Sequence, residues 1–313
     1  MPADVRFGQR WSLAQRAKND AIYTLLRALD ASLRHVPEPV LLATLRALAT
    51  QVVLRSDVAR ANLKRVFYNE SDVMHEARLR AHADALARHA TVALRAIWGK
   101  APLPPLPMDT TSARVLEEAC AAGRGVVLAS AHLGAWDRVA VTLAQRCPDF
   151  VAVVREPYDP RLARWTRALR RDFVCLPRGP SATRAMVRVL RRGGVLGMPM
   201  DLATRGAASC VVPFLDQPTA IVSGPARLAL RCGAQVIVAT YTQKRGHEGL
   251  RVWPVRTERS PKWGRPSSRF ENGQDENMQT VHLTEQLAAT LSEAIGLCPN
   301  EWLWLHPRWN NSV

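Results

Sequence analysis

The sequence predicts an α/β fold in which a mixed, largely parallel central sheet is flanked by helices and preceded by an N-terminal helical region. The first hundred residues carry apolar side chains at helical spacing, whereas after residue 109 short apolar runs alternate with helical segments. The chain has 313 residues, of which 47% are hydrophobic, so it can bury a sizeable core. We therefore expect a helical region at 1–100 and an α/β core at 101–313, joined as one continuous domain.

Amphipathic helices are predicted throughout the N-terminal region. An apolar stripe with members at i, i+3, i+4, i+7 and i+11 begins at Ile22, and Pro37 and Pro39 end this segment. Further stripes follow over about 41–52 and 72–98. Arginines stud all of these helices, and basic amphipathic helices can lie in a membrane interface. An ordinary helical subdomain packed on the core is the equally open alternative.

The core begins after a proline-rich connector, APLPPLPMD at 101–109. Beyond it, the alternation of strands and helices predicts a largely parallel sheet. Strands are predicted at the apolar runs 125–130, 150–154, 173–176, 194–200, 235–241 and 250–255. Helices are predicted at about 134–146, 159–171, 181–192 and 219–231. A polar surface loop at 257–276 and a last helix at about 279–296 complete the prediction.

The charge of the chain points to an anionic partner. Lys and Arg number 43 against 27 Asp and Glu, a formal net charge of +16. Nucleic acid, anionic lipid and a phosphorylated substrate all suit such a charge. The basic residues are spread along the sequence, which carries no helix-turn-helix, RNP or zinc-finger signature, so nucleic acid is not the expected partner.

The cysteine spacing and the search for targeting signals narrow the class of protein further. The six cysteines form no CxxC pair and no zinc-type spacing with histidine, so we expect reduced thiols and no metal site. No apolar segment typical of a signal peptide follows the charged start MPADVRFGQRW. No uncharged stretch reaches the roughly 18 residues of a spanning helix. We expect a protein that does not cross a bilayer, and a place on its surface stays open.

The segment VVLASAHLGAWD at 126–137 holds the candidate catalytic residues. His132 follows the carboxyl end of a predicted strand, where α/β proteins bind ligands, and Asp137 lies near the start of the next helix. Imidazole takes a proton well near neutral pH, and better when a carboxylate holds its other ring nitrogen. On one regular helix these side chains would point about 140° apart. They can meet only if His132 lies in a turn, which Gly134 would permit. The alternative is a backbone-bonded His and an Asp at a helix N-terminus.

The HLGAWD block, in the form HxxxxD, resembles the first block of the glycerolipid and lipid A acyltransferase superfamily. The ending EWLWLHPRWN resembles that of the late acyltransferases of lipid A biosynthesis, which favours this branch over the lysophosphatidate branch. Further blocks resembling the family follow its order, at 59–67, 153–160, 176–206 and 211–239. The resemblance therefore covers nearly the whole chain.

This resemblance implies an O-acyltransferase that moves a fatty acyl group onto a glycolipid hydroxyl. The co-substrate would be a thioester of acyl carrier protein or of coenzyme A, with no cofactor, metal or acyl-enzyme. His132 would take the proton of the acceptor hydroxyl, while Asp137 orients the imidazole and stabilises its charged form. The protein would lie on the anionic lipid of the cytoplasmic face of the inner membrane.

The same resemblance implies a set of substrate-binding residues. Gly134 belongs to the first block, and Arg155 and Arg178 would hold phosphate of the acceptor or of the pantetheine arm. Asp201 would position the acceptor hydroxyl or pair with one of these arginines. Solvated surface arginines and a purely structural Asp201 are the alternatives.

The sequence departs from the family pattern at several positions. Asp137 stands where many members have Glu, and Pro307 where a basic residue is common. Charged Arg27, Asp30 and Arg34 lie where members of this branch usually have an apolar inserted helix. The acceptor is therefore open among lipid A, another glycolipid, a lysophospholipid, an ornithine-type lipid and a polyene product. Two rival functions also stay open: an esterase using Ser130 and a non-catalytic membrane scaffold.

Overall fold

The computed structural model describes residues 8–179, 182–203, 206–255 and 273–309, and of 273–276 it describes the backbone only. Its helices, numbered along the chain, are α1 Leu13–Leu33, α2 Glu38–Leu54, α3 Asp57–Val66, α4 Asp72–Gly99, α5 Thr110–Ala121, α6 Trp136–Arg146, α7 Ala163–Leu169, α8 Ala182–Arg191, α9 Gly224–Cys232 and α10 Gly273–Leu297. Its strands are β1 Val126–Ser130, β2 Phe150–Val154, β3 Val174–Pro177, β4 Val195–Pro199, β5 Ser209–Phe214, β6 Gln217–Val222, β7 Gln235–Lys244 and β8 His247–Pro254.

The N-terminal helical region is confirmed, and serine caps explain where three of its helices begin. The side chains of Ser12, Ser56 and Ser71 each accept a hydrogen bond from a backbone N–H of the first turn of α1, α3 and α4. Gln15 completes a capping box at α1. Helix α2 packs along α4. Within the described residues, no helix is both long enough and apolar enough to cross a membrane.

The mixed, largely parallel sheet is confirmed as well. Its strand order is β3-β2-β4-β1-β7-β8, with parallel pairing except between β7 and β8. Residues 126–129 of the central strand β1 are all buried, because helices cover both faces of a sheet built from parallel strands. The helices that connect the strands leave the carboxyl ends of β1, β2, β3 and β4 along one edge.

The segment 209–222 differs from the prediction. Strands β5 and β6 form an antiparallel hairpin, so the helix predicted at about 219–231 is wrong in its first five residues. The helix starts at Gly224 instead, with a proline in its first turn. Leu215 and Asp216 form the hairpin turn with positive φ, without the Asn-Gly or Gly residues that usually mark such turns.

The end of the core also departs from the prediction. Helix α10 begins at Gly273, earlier than the predicted start near residue 279. The last four residues of the loop predicted at 257–276 therefore belong to a helix. The rest of that loop, 257–272, lies outside the described residues.

Buried polar contacts tie the N-terminal helices to the C-terminal segment. The Asn62 side-chain amide on α3 donates to the carbonyl oxygens of Trp304 and His306, at 2.8 and 2.7 Å. On α4, Arg88 and His89 contact the buried Glu301 carboxylate at 2.7 and 2.6 Å. Because buried polar groups are costly to leave unpaired, these contacts hold the C-terminal segment against the helical region.

Candidate active site

The register of the sheet brings His132 next to Asp201. Ser130 at the end of β1 pairs with Pro199 at the end of β4. Two residues beyond each strand end, the chain reaches a polar side chain, His132 after β1 and Asp201 after β4. Parallel neighbouring strands end at the same edge, so both side chains lie at the carboxyl ends of the two central strands.

Asp201 receives hydrogen bonds from three donors. Its Oδ1 lies 2.9 Å from His132 Nδ1, and its Oδ2 accepts from the His132 backbone N–H and from the Trp302 indole N–H, both at 2.9 Å. The carboxylate is fully buried. Burial alone would raise the pKa of Asp201, but the charge of His132 and the hydrogen bonds from His132 and Trp302 outweigh it and hold the pKa below its ordinary value. Asp201 is therefore a buried anion aimed at one imidazole nitrogen.

His132 is held in one orientation while part of its ring faces solvent. Of its side chain, 26% is exposed. Burial lowers the pKa of His132, but the charge and hydrogen bond of Asp201 outweigh burial and raise it above the ordinary histidine value. The ring of Trp136 packs edge-on against the imidazole, with 5.5 Å between centroids. With Nδ1 occupied by Asp201, the Nε2 atom is the one available for proton transfer with a substrate.

The structure corrects the contact expected between His132 and Asp137. Asp137 was expected to accept the hydrogen bond of the imidazole N–H, whereas the carboxylate that lies at His132 Nδ1 is that of Asp201. Asp137 lies at the second position of α6, and its Oδ1 is 3.9 Å from Arg170 Nε. Burial raises the pKa of Asp137, although Arg170 and His132 counteract it. Its negative charge also raises the pKa of the His132 imidazole.

Gly134 has a geometric reason to be glycine. Its φ is +53°, and a Cβ at this position would lie 2.2 Å from Cδ1 of Tyr241. Its N–H donates to the carbonyl of Glu301 at 2.8 Å, and the Leu303 N–H donates to the carbonyl of His132 at 3.1 Å. The turn that presents His132 is therefore clamped between a tyrosine ring and the C-terminal segment.

Arg155 and Arg178 lie side by side at the same edge of the sheet. They follow the paired residues Val154 and Pro177, at the ends of the neighbouring strands β2 and β3. Burial lowers the pKa of the Arg178 guanidinium, and the charge of Arg155 lowers it further. The strand order puts them two and three strands from β1, so roughly 10 and 14 Å from it across the sheet. Two neighbouring cations at the edge that also carries His132 suit an anionic group such as phosphate.

Comparison with known proteins identifies the family. The model for "Bacterial lipid A biosynthesis acyltransferase" matches residues 14–311. The chain belongs to this family. It is also similar to proteins named phosphatidylinositol mannoside acyltransferase. One, from Mycobacterium tuberculosis (strain ATCC 25618 / H37Rv), is 27% identical over 62% of this chain and 57% of its own length. Another, from Mycolicibacterium smegmatis (strain ATCC 700084 / mc(2)155), is 27% identical over 64% of this chain and 62% of its own length. The match thus spans about three fifths of each relative.

In this member of the family, sequence reasoning missed two contacts of the site. The first is the indole of Trp302, which reaches Asp201 from the C-terminal segment. The block EWLWLHPRWN marked that segment by resemblance but carried no sign of the atom it contacts. The second is Arg170 beside Asp137, which ends a short helix in an arginine-rich stretch. Nothing in its spacing distinguishes it from its arginine neighbours.

Proposed function

We propose that this protein is an O-acyltransferase that moves a fatty acyl group from a thioester to a hydroxyl of a glycolipid. The observation that carries the proposal is His132, oriented by a fully buried carboxylate at the carboxyl edge of the sheet, with its other nitrogen left for the substrate. Family membership supports the reaction class.

In the proposed reaction, Nε2 of His132 accepts the proton of the acceptor hydroxyl as its oxygen attacks the thioester carbonyl. Asp201 keeps Nδ1 protonated and stabilises the imidazolium that forms. The tetrahedral intermediate then collapses, the carbon–sulfur bond breaks, and the imidazolium returns the proton to the leaving thiolate. Asp137 adds a second negative charge near the imidazolium.

Arg155 and Arg178 support a phosphorylated substrate. Guanidinium groups match phosphate in charge and geometry, and the two side chains share one edge with His132. The phosphate belongs either to the acceptor or to the pantetheine arm of acyl carrier protein or coenzyme A. The name of the mycobacterial relatives favours a phosphorylated glycolipid as acceptor. The alternative within the superfamily is a lysophospholipid, ornithine-type lipid or polyene acceptor.

The N-terminal helices support a place on an anionic membrane surface, at the cytoplasmic face of the inner membrane. Helices α1 and α2 expose Leu25, Val40, Leu48 and Val52, each by about half or more. Helices α2 and α4 enclose an apolar surface groove of about 240 Å³. Exposed apolar side chains on amphipathic helices are typical of interfacial binding, and the net charge of +16 suits anionic lipid. In a sedimentation assay with phosphatidylglycerol vesicles, the Val52→Glu variant should bind less than wild type. The matched control, Val211→Glu, changes an exposed valine of the β5–β6 hairpin and should bind as wild type does. Equal binding of the two variants would refute membrane binding through helices α1 and α2.

The first experiment is deletion of the gene in its host, followed by mass spectrometry of total lipids. We expect one glycolipid class to lose the mass of an acyl chain, and wild type and Ser130→Ala to restore it. His132→Ala, folded by circular dichroism, should not restore it. Restoration by His132→Ala would refute His132 as the base. Loss with Ser130→Ala would favour a serine esterase, and an unchanged lipid profile would refute the lipid acceptor.

A further inference from the structure

Two thiols meet where α5 and α6 end, shortly before the amino ends of β1 and β2. The sulfur atoms of Cys120 and Cys147 are 3.5 Å apart, which is van der Waals contact. Cys120 lies in the last turn of α5, and Cys147 is the residue at which α6 ends. The segment between them contains β1, the turn with His132, and α6 with Asp137. The pair therefore brackets the part of the chain that carries the proposed base.

The two thiols differ in accessibility. Cys120 is partly exposed, whereas only 4% of Cys147 is exposed. A surface pocket of about 200 Å³ is lined by both cysteines together with Glu117 and Arg146, so a small solute can approach the pair. The hydrogen bond from the Cys147 thiol lowers the pKa of Cys120, while the same contact and burial raise the pKa of Cys147. Since the thiolate is the reactive form, Cys120 should react first.

We propose that Cys120 and Cys147 are a redox pair that peroxide-class oxidants convert reversibly to a disulfide. The Cys120 thiolate attacks one oxygen of hydrogen peroxide, the O–O bond breaks, and sulfenic acid and hydroxide form. The sulfur of Cys147 then displaces hydroxide from the sulfenic sulfur as the S–S bond forms. Overall, two thiols and one hydrogen peroxide give one disulfide and two waters.

The two sulfur atoms need only a short approach to form this bond. The sulfur atoms must approach by about 1.5 Å to reach the S–S distance of about 2.05 Å. Cys147 has extended backbone angles, φ −126° and ψ 98°, just beyond the helical turns of α6. We expect side-chain rotation and small shifts of this residue, which lies outside the helical turns, to supply the approach.

The disulfide closes a loop around the segment that carries β1 and α6. Cross-linking of residues 27 positions apart restricts the unfolded chain and so stabilises the folded one. For a chain of this size we expect the melting temperature to rise by roughly 4–8 °C on oxidation. Neither the bond nor this shift depends on the acyl-transfer proposal.

Peptide mapping of the full chain tests the pair directly. After hydrogen peroxide and alkylation of free thiols, trypsin should release peptides 115–124 and 147–155 joined to each other, and dithiothreitol should separate them. Each of these peptides contains one cysteine. Cys147→Ser should leave Cys120 as sulfenic, sulfinic or sulfonic acid and remove the thermal shift. Cys210→Ser, a half-buried thiol in the β5–β6 hairpin, is the matched control and should keep both the link and the shift.

Three results would overturn the proposal. Both peptides could remain fully alkylated under peroxide that oxidises other thiols of the chain. Cys120 could become sulfinic acid in the wild type without the link. The link could instead join Cys120 to a cysteine other than Cys147.

Discussion

Replacing Asp201 by asparagine tests the central contact of the site. The substitution keeps the size of the side chain but removes the negative charge from His132 Nδ1, and the amide NH₂ cannot accept the hydrogen bonds that the carboxylate accepts. The imidazole then loses its preferred tautomer and the charge that stabilises the imidazolium. The analogous change in a serine protease triad costs about 10⁴-fold. Because Asp137 still contributes negative charge here, we expect a loss of about 10³-fold in kcat, or about 4 kcal/mol.

The pH dependence gives a second, independent readout. Proton transfer to His132 requires the neutral imidazole, so activity should rise with pH through the pKa of this group. Asp201 raises that pKa above the ordinary value. Asp201→Asn should therefore move the rising limb of the kcat profile to lower pH while lowering the plateau. A substitution that merely damaged the fold would lower the plateau and leave the limb in place.

The assay measures transfer of a radiolabelled acyl chain to extracted host lipid, with circular dichroism as the control for folding. Asp137→Asn is the matched variant, since it removes a neighbouring carboxylate that is not hydrogen-bonded to the imidazole among the described residues. We expect it to cost less than Asp201→Asn. If Asp201→Asn stayed within threefold of wild type while Asp137→Asn abolished transfer, the reasoning from the Nδ1 contact would be refuted.

Further predictions concern stability and substrate binding. Gly134→Ala should lower the melting temperature far more than Gly233→Ala. Both glycines have positive φ, but only a Cβ at position 134 would meet an aromatic ring. Equal shifts of the melting temperature would contradict this close-packing argument. Asn62→Ala should lower the free energy of unfolding in urea by about 2–4 kcal/mol, because one buried and one partly buried carbonyl oxygen lose their donor. A change below about 0.5 kcal/mol would show that the contacts are dispensable. Arg155→Ala and Arg178→Ala should each raise KM for a phosphorylated substrate about tenfold or more, with a smaller change in kcat; unchanged KM in both would remove phosphate binding from this edge.

The elements of the fold could be predicted because their patterns are local. Helical periodicity in the first hundred residues and short apolar runs after the proline-rich connector predicted the layers that the structure contains. The hairpin of β5 and β6 was not predicted, because its turn, Leu215–Asp216, lacks the usual turn residues. Its conformation depends on pairing with a strand and on packing against α10, neither of which a short window of sequence contains.

The site, too, was determined partly by local sequence and partly by tertiary structure. The sequence determined by itself that His132 follows a strand end, because the position of a residue after an apolar run is local information, whereas resemblance to the family marked Arg155, Arg178 and Asp201. The resemblance to the HxxxxD block suggested Asp137 as the partner of His132. Only the tertiary structure decided that the Nδ1 contact goes to Asp201, 69 residues away. That choice depends on β4 lying next to β1, and strand order is set by how the whole sheet and its covering helices pack, not by the residues near either strand.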